Sequence, residues 1–337
     1  MNHQIYSHAG MFTTALRWVA GWTYFSAFWR RVVLENKLNP EEAGYIGEKF
    51  NHFLPHALGI KPIIENLVSN PDSLWYAMVA FTIIEGLVGL FFMLGLFTRV
   101  MSVAVLGLAF GILLGSGWLG TTCLDEWQIG VLGVAAGFTI FFTGGGKYAL
   151  DNYLIKRKFT FAHSKWFGIL SSGMLPLKQS AVNKIALFGS IFILGLTLFT
   201  NQYFHGGVYG KLHNLSVSPH VIISDAQIDN DELTFTVFRD EGVDVYGSFL
   251  IGVKLIDPSG KVVLELDQAE LSQFPTNRIE NDYVAEVKPG KHSLILPLGA
   301  RATLTIPNID SMGSSGNYKL ELLDISGATW RSDVLMP

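Results

Sequence analysis

The chain has 337 residues, of which 49% are hydrophobic and only 15% are charged, and its mean hydropathy is +0.33. Soluble domains carry about 25% charged residues, so this composition excludes an ordinary soluble enzyme and favours a membrane protein. The net charge of −4, without a long run of like charges, excludes nucleic acid as a partner. The single cysteine excludes an intrachain disulfide, a Cys-rich zinc site and a protein-ligated iron–sulfur cluster.

Five apolar stretches approach the roughly 20 residues that a helix needs to cross a bilayer. They are Phe12–Val33, Leu74–Phe97, Val100–Leu119, Trp127–Phe142 and Ile185–Phe204. The first has no basic residues before it and no small-residue cleavage site after it, so we interpret it as a retained helix and not as a signal peptide. Glycines recur at steps of three or four residues on the third and fourth stretches and predict close helix packing: Gly107, Gly111, Gly115, Gly130, Gly133 and Gly137.

The basic residues predict the orientation of these spans. Seven Lys and Arg residues lie between the fourth and fifth spans, with Asp151 as the only acid, which predicts that this connection is cytoplasmic. The N-terminus is then inside, whereas the loop 34–73 and the C-terminal region are outside. Arg30 and Arg31, at the outer end of the first span, run against this rule and need a separate explanation.

The charge balance divides the chain near residue 205, because residues 1–205 carry a net charge of +4 and residues 206–337 a net charge of −8. The second part has short stretches rich in Val, Ile, Leu, Phe and Thr between turn residues, which predicts an antiparallel β-sandwich. The expected strands are Val221–Ile228, Glu232–Arg239, Ser248–Asp257, Lys261–Asp267, Ser293–Pro297, Ala302–Ile306 and Tyr318–Asp324. The predicted fold is thus a membrane α-helical bundle, with a four-helix core and a fifth transmembrane helix, followed by an extracytoplasmic all-β sandwich.

The predicted domains follow from the same reading. Residues 1–160 form the four-helix membrane domain with an outer helical loop at 34–73, and residues 161–183 form the basic cytoplasmic loop. Residues 184–205 form the fifth transmembrane helix, and residues 206–337 form the β-sandwich. Because residues 1–205 are expected to span a membrane, the lipid bilayer is one predicted partner of the protein.

Two places in the membrane part carry residues suited to chemistry. Glu85 lies near the middle of the second span, where an ionised carboxylate is costly and is expected to face a partner, a polar cavity or a ligand. The alternative is a structural glutamate that bonds to a neighbouring helix. Arg17 and Arg99 lie towards the cytoplasmic ends of their spans, where they could extend to lipid phosphates, bind a head group or pair with an acid.

The connection between the third and fourth spans is the second place. It carries Cys123, Asp125 and Glu126 between Trp118 and Trp127, and topology brings it to the same face as Arg30 and Arg31. Arginines bind small oxyanions through paired hydrogen bonds, and a nearby positive charge favours a thiolate. The alternative is structural: an inert cysteine, two indoles anchoring the interface, and arginines that neutralise the two acids.

Three segments resemble a known family. They are Glu85-Gly-Leu-Val-Gly-Leu-Phe-Phe-Met-Leu-Gly-Leu-Phe-Thr-Arg99, Trp118-Leu-Gly-Thr-Thr-Cys-Leu-Asp-Glu-Trp127 and Gly144-Gly-Gly-Lys-Tyr-Ala-Leu-Asp151. They are similar to the DoxD membrane subunit of thiosulfate:quinone oxidoreductase, within the DoxX-like group. The fifth span and the C-terminal region resemble its partner subunit DoxA, so the chain resembles a DoxD–DoxA fusion.

The resemblance implies that the protein oxidises thiosulfate to tetrathionate on the outer face of a prokaryotic cytoplasmic membrane and passes two electrons to a membrane quinone. We expect a catalytic set of Cys123, Glu85 and Asp125, substrate binding by Arg30, Arg31 and Glu126, and quinone binding by Trp22, Tyr24, Trp127 and Arg99. Quinone is the electron-accepting substrate, and no flavin, haem or metal motif is recognisable. Another sulfur oxyanion as substrate and a homo-oligomer both stay open.

Two other functions compete with this hypothesis. The protein could be a non-catalytic scaffold or accessory subunit whose β-domain docks an extracytoplasmic redox partner. It could also be an anion transporter with Arg17, Glu85 and Arg99 along its path, although no inverted repeat is visible. The β-domain could cover the site, bind substrate or hold a second copy.

Overall fold

The computed structural model describes residues 8–42, 44–119, 125–157, 159–173, 175–213, 218–243, 248–307, 309 and 316–335. The chain divides into two compact units, Met1–Ala43 with Trp75–His213, and Gly44–Leu74 with Asn214–Pro337. The first unit is helical, and the second combines short helices with β-sheets. The last boundary between the units lies after His213, eight residues beyond the break in charge at residue 205.

The helical unit contains the predicted spans. Helix α1 (Thr14–Phe28) continues as a π-helix at Trp29–Leu34. Within the described residues, four helices are long and apolar enough to cross a membrane. They are α4 (Pro71–Leu94), α5 (Thr98–Ser116), α6 (Asp125–Thr143, of which Glu126–Thr143 is the apolar part) and α9 (Gln179–His205). These four confirm the last four predicted spans, and the chain is a multi-pass membrane protein. Shorter helices α7 (Leu150–Lys156) and α8 (Lys165–Leu170) lie in the basic connection.

The short connection between α4 and α5 is held by a buried carboxylate. Asp151 accepts hydrogen bonds from the backbone N–H groups of Phe97 and Thr98 at 2.8 and 3.0 Å, and from the Thr98 hydroxyl at 2.6 Å. It therefore satisfies amide donors that the first turn of α5 would otherwise leave unpaired. Phe97 itself adopts the left-handed conformation (φ 49°), which turns the chain between α4 and α5.

Only some of the predicted glycine contacts form. A Cβ added to Gly137 would lie 2.8 Å from the Ser102 carbonyl, and one added to Gly130 would lie 3.0 Å from Leu113, so α5 and α6 approach closely at the glycines of α6. Gly107 and Gly111 of α5 instead have no heavy atom within 4 Å of such a Cβ among the described residues. Gly107 and Gly111 thus lie off the packing face, because the glycines of α6 contact other residues of α5, such as Leu113 and Ser102.

The second unit contains all seven predicted strands and three further ones. The ten strands of its described residues are β1 (His220–Asp229), β2 (Glu232–Glu241), β3 (Ser248–Ile256), β4 (Val262–Leu266), β5 (Ile279–Asn281), β6 (Lys288–Pro289), β7 (Leu294–Leu296), β8 (Arg301–Ile306), β9 (Tyr318–Asp324) and β10 (Thr329–Val334). One antiparallel sheet has the order β1-β2-β8-β5, and the other β10-β9-β3-β7-β6, with β4 paired to β3. A helix, α10 (Gln268–Ser272), follows β4.

The two sheets share one hydrophobic core. Val237 and Leu304 from the first sheet and Leu255 and Leu320 from the second belong to one cluster of buried side chains. Their strands alternate between buried and exposed positions, most regularly in β8 and β9. This alternation is typical of strands with one face on a core and the other in water.

The outer loop departs from the expected domain division, because residues 44–74 form part of the β unit. The outer loop contains two short helices, α2 (Ile46–Asn51) and α3 (Lys61–Val68). The buried Asn51 side chain donates a hydrogen bond to the Gly299 carbonyl at 2.8 Å and accepts one from the Ala285 N–H at 3.3 Å. These long-range bonds attach the loop to the sandwich.

Candidate functional site

A buried ion pair joins the first two transmembrane elements of the helical unit. The Arg31 guanidinium Nη1 lies 2.5 Å from Oε2 of Glu85, and both side chains are largely removed from solvent. The Arg31 guanidinium also lies 5.9 Å from the centre of the Phe81 ring. This pair explains one of the two arginines that oppose the positive-inside rule, because Arg31 neutralises the acid near the middle of α4.

The helix faces explain why these two residues meet. The buried residues of α1 include Gly21, Tyr24 and Ala27, and Arg31 lies four positions beyond Ala27 on the π-helix. A Cβ added to Gly86 would lie 2.6 Å from the Phe28 ring, so α1 and α4 are in close contact next to Glu85. Residues three or four apart share a helix face, and the wider π-turn is frequent at functional sites.

Two hydroxyl groups are buried near the ion pair. Tyr24 of α1 is 2% exposed and Thr82, one turn before Glu85 on α4, is 0% exposed. Within the described part of the chain, neither hydroxyl has a hydrogen-bond partner. Burying such a group without a partner costs about 1–3 kcal/mol, so the place suits a polar ligand or a water molecule. The Tyr24 ring belongs to the bundle core with Val88 and Val134, in a position where a quinone ring could not stack on it without rearrangement.

The predicted substrate-binding residues have different surroundings. Arg30 is exposed; its Nε donates a hydrogen bond to the Ser26 carbonyl at 3.4 Å, and none of the salt bridges among the described residues involves it. Arg31 is instead occupied by Glu85. Glu126 is half-buried at the start of α6. Arg30 is therefore the cation of this set that is best placed to meet an anion from solution.

The cysteine connection is described only at its ends. Cys123 lies outside the described residues, and Asp125 begins α6 with its side chain outside the described part as well. On the described side, Trp118 is fully buried. Trp127 Nε1 donates a hydrogen bond to the Thr200 hydroxyl at 3.0 Å, which ties α6 to α9, and the Trp127 ring lies edge-on to His205.

Trp22 lies in an apolar groove beside the middle of α1, before Arg31 along the chain. The groove encloses about 860 Å³. Its lining is almost entirely apolar or aromatic and consists of Trp18, Val19, Trp22, Thr23, Met93, Leu94, Lys147, Tyr148, Ala149, Leu150 and Tyr153. Ring centroids 5.9 Å apart connect Trp22 to Phe25 and Phe25 to Phe28. This aromatic row leads from the groove along α1 towards the ion pair.

The remaining two arginines of the spans bind backbone carbonyls. Arg17 is 0% exposed and donates hydrogen bonds to the carbonyls of Phe92, Met93 and Tyr148, which satisfies acceptors at the C-terminal end of α4. Arg99, expected at a quinone, donates to the carbonyls of Phe141, Gly168, Ile169 and Gly173. Both guanidinium groups therefore hold helix ends and connections together.

The structure thus brings together some of the predicted residues and separates others. Arg31 and Glu85 form an ion pair, and Tyr24 is buried in the core of the same bundle. Trp22 lies in the groove, Trp127 lies on α6 against α9, and Arg99 lies in a network of carbonyls. Thr82 and His205 were not predicted. Thr82 could have been found from its spacing of three residues from Glu85, which puts both on one helix face.

Comparison with protein families gives two matches that together span most of the chain. Residues 12–178 match the family described as TQO small subunit DoxD, and residues 204–333 match TQO small subunit DoxA. TQO denotes thiosulfate:quinone oxidoreductase, and the order of the two matches is the one expected from the sequence. The chain therefore belongs to the DoxD and DoxA families of thiosulfate:quinone oxidoreductase subunits, joined in one polypeptide.

Proposed function

We propose that this chain oxidises thiosulfate to tetrathionate and reduces a membrane quinone. Two thiosulfate ions lose two electrons as their terminal sulfurs join, and the quinone takes up these electrons with two protons to become a quinol. The observation that carries the proposal is the buried Arg31–Glu85 pair, which has an exposed arginine next to it and an aromatic row leading to a groove.

Arg30 is the proposed first contact of thiosulfate. A guanidinium binds an oxyanion through two parallel hydrogen bonds, and Arg30 has no competing carboxylate among the described residues. Its charge also acts on Glu85, so Arg30 and Arg31 together provide positive potential at this end of α1. The positive potential attracts a dianion and lowers the repulsion between two thiosulfate ions that must react with each other.

Cys123 provides a covalent course for the same reaction. The thiolate and the terminal sulfur of thiosulfate join in an S–S bond, and the two electrons released pass to quinone. A second thiosulfate then attacks the sulfur next to the sulfonate, which forms tetrathionate and returns the cysteine as thiolate. In the alternative course two thiosulfates react without the cysteine, and Cys123→Ser then retains full turnover.

Glu85 is the proposed proton relay to the quinone: its carboxylate takes up a proton, which weakens the ion pair with Arg31, and then passes the proton on. Reduction to quinol requires two protons, and a carboxyl group within a membrane span can relay them to a site that excludes bulk water. The quinone tail would lie in the groove at Trp22, and its ring would lie along the row formed by Phe25 and Phe28. The buried hydroxyls of Tyr24 and Thr82 add donors near Glu85.

The membrane orientation follows the positive-inside rule. We place the N-terminus and the basic connection between α6 and α9 in the cytoplasm, and the β unit outside the cytoplasmic membrane of a prokaryote. Protease added to intact spheroplasts should then cleave within the β unit and leave the helical unit protected. Cleavage only after the cells are lysed would reverse the orientation.

The deciding experiment is a quinone-reduction assay with the purified full chain in detergent. Thiosulfate is the only electron donor, a short-chain quinone is the acceptor, and tetrathionate is measured as product. We expect one tetrathionate per quinol. Quinone that stays oxidised with a folded protein would reject the oxidoreductase and favour the accessory-subunit alternative.

Arg30→Gln tests the anion contact within this assay. A hydrogen bond to a charged group contributes about 1.5–3 kcal/mol, so the KM for thiosulfate should rise about tenfold or more, with the KM for quinone unchanged. Arg157→Gln is the matched control, because Arg157 is an exposed arginine stacked on Tyr153 after α7. Equal effects of the two substitutions would remove Arg30 from the thiosulfate site.

A further inference from the structure

Residues 144–184, the basic connection with the first turns of α9, present positive charge at their surface. Their sequence contains seven basic residues and one acid, Asp151. Asp151 is fully buried, and its carboxylate accepts hydrogen bonds from Phe97, Thr98 and Ser172. The acid therefore does not offset charge at the surface. Six of the bases are described, and all six are exposed: Lys147, Lys156, Arg157, Lys165, Lys178 and Lys184.

These six exposed bases lack counter-ions within the described part of the chain. The salt bridges found there include none of them. In the β unit, by contrast, four bases each pair with an acid at 3.1 Å or less: Lys254, Arg278, Arg301 and Arg331. A surface that carries one sign of charge attracts ligands of the opposite sign, so this segment favours an anionic partner.

Exposed aromatic rings accompany the cations. Tyr148, Tyr153 and Trp166 are 59%, 51% and 51% exposed. The ammonium nitrogen of Lys147 lies 5.7 Å from the centre of the Tyr148 ring, and the guanidinium carbon of Arg157 lies 5.5 Å from that of Tyr153. Tyrosine and tryptophan are enriched where lipid head groups meet hydrocarbon, because one end of the side chain is apolar and the other is polar. The combination indicates a surface at the level of lipid head groups.

The two tyrosines also connect the cations to the apolar groove beside α1. Lys147, Tyr148 and Tyr153 all belong to the lining of this groove. Two cations thus lie beside one apolar surface. A phospholipid has the same division, because its acyl chains are apolar and its head group carries a phosphate. A small anion from solution would match the cations but would leave the exposed rings without a partner.

We propose that Lys147 and Arg157 bind the phosphate of an anionic phospholipid. The guanidinium donates paired hydrogen bonds to the phosphate oxygens, the ammonium adds a point charge, and Tyr148 and Tyr153 contact the glycerol backbone and the first methylene groups. The head group stays at the edge of the groove, so a quinone tail can still enter it. In the orientation proposed above, this is the cytoplasmic leaflet, whose surface is negative. The inference does not rest on the oxidation of thiosulfate.

Lipid binding to the purified full chain tests this proposal. Native mass spectrometry in a neutral detergent measures the apparent Kd for added dioleoyl phosphatidylglycerol and for dioleoyl phosphatidylcholine, whose head group is zwitterionic. Hydrogen bonds between charged groups are strong, so we expect the wild type to bind phosphatidylglycerol about tenfold more tightly. Lys147→Gln/Arg157→Gln should lose this preference. Both side chains are exposed, so the double variant should fold.

Lys178→Gln/Lys184→Gln is the matched control, because it removes two exposed charges of the same segment that no described aromatic ring stacks on. It should keep the preference for phosphatidylglycerol. Equal losses in the two double variants would overturn the proposal, because the general charge of the segment would then explain the binding. A wild type that binds both lipids equally would also overturn it.

A soluble anion distinguishes a lipid site from a phosphate site. The wild type with bound phosphatidylglycerol should keep it when an equal concentration of sn-glycerol 3-phosphate is added, because the soluble compound lacks acyl chains. Displacement would overturn the proposal in favour of a soluble anion. The thiosulfate assay contains no added phospholipid, so Arg157→Gln stays a control for Arg30→Gln there.

Discussion

The Arg31–Glu85 pair makes a prediction about stability that depends on the different exposure of its two members. The Glu85 side chain is 5% exposed and that of Arg31 is 18% exposed. Removal of one partner of a buried ion pair costs about 3–5 kcal/mol, because the remaining charge loses its counter-ion without regaining water. The cost therefore depends on whether the remaining group can reach water.

Arg31→Met leaves the less accessible partner, the Glu85 carboxyl, in place. We expect it to lower the free energy of unfolding by about 3 kcal/mol, the lower end of the range, because Arg30 still supplies a charge nearby. Glu85→Gln leaves a long cationic side chain that can extend towards water, so we expect a loss of only about 1 kcal/mol. The double variant should resemble Glu85→Gln, because it contains no uncompensated charge.

Unfolding of the full chain in mixed micelles, driven by a denaturing detergent and followed by circular dichroism, measures these differences. The four proteins form a double-mutant cycle, which isolates the pair from other effects of each substitution. If Arg31→Met costs no more than Glu85→Gln, the carboxyl group has another partner and the ion pair is not what holds it in the bundle.

Three further predictions concern other contacts. Asn51→Ala should lower the free energy of unfolding of the β unit by about 2–4 kcal/mol, measured by chemical denaturation of the full chain, because it leaves the Gly299 carbonyl and a backbone N–H buried without partners. Burial raises the pKa of Asp324, but hydrogen bonds from Ser326, Ser248 and the Phe249 N–H outweigh this effect and lower the pKa below its usual value. The ionised Asp324 therefore stabilises the fold above about pH 4, and this stabilisation is lost as the pH falls through the pKa of the folded state. Asp324→Asn should accordingly weaken the dependence of the free energy of unfolding on pH in the acid range. Gly137→Ala should cost about 1–3 kcal/mol in the micelle assay, because its Cβ would lie 2.8 Å from the Ser102 carbonyl oxygen of α5, whereas Gly107→Ala should cost nothing; equal effects would reject the packing of α6 on α5.

The elements that the sequence predicts correctly have local signals. Spans α4, α5, α6 and α9 follow from apolar length, and seven strands follow from residue type and turn residues, because each signal is complete within about 20 residues. Of the strands that were missed, β5 and β6 are only three and two residues long, and β10 (Thr329–Val334) has only two apolar residues, Trp330 and Val334. Such segments form strands only because a neighbouring strand pairs with them.

The candidate site was predictable in part. Arg17, Tyr24 and Arg31 lie seven residues apart, a spacing that puts them on one helix face, and this pattern could have directed Arg31 towards Glu85. The pairing of Asn51 with Gly299 could not have been predicted, because the two residues are 248 positions apart and no local pattern connects them. The contact of His205 with the Gly117 carbonyl was missed for the same reason, since it depends on where the end of α9 lies within the bundle.

The boundaries of the two structural units differ from the boundaries of the two family matches. The residues that lie in one family match and in the other structural unit show how the two parts of the chain depend on each other. The DoxD match ends at residue 178 and the DoxA match begins at residue 204. Yet Asn51, in the DoxD part, is buried in the β unit against Gly299, and His205, in the DoxA part, is buried in the helical unit against Gly117. Each family thus contributes a buried polar residue to the unit built mainly by the other. Separation of the two parts would leave the Gly117 carbonyl of the helical unit and the Gly299 carbonyl of the sandwich without these partners, so each unit needs residues from both families to satisfy its buried polar groups.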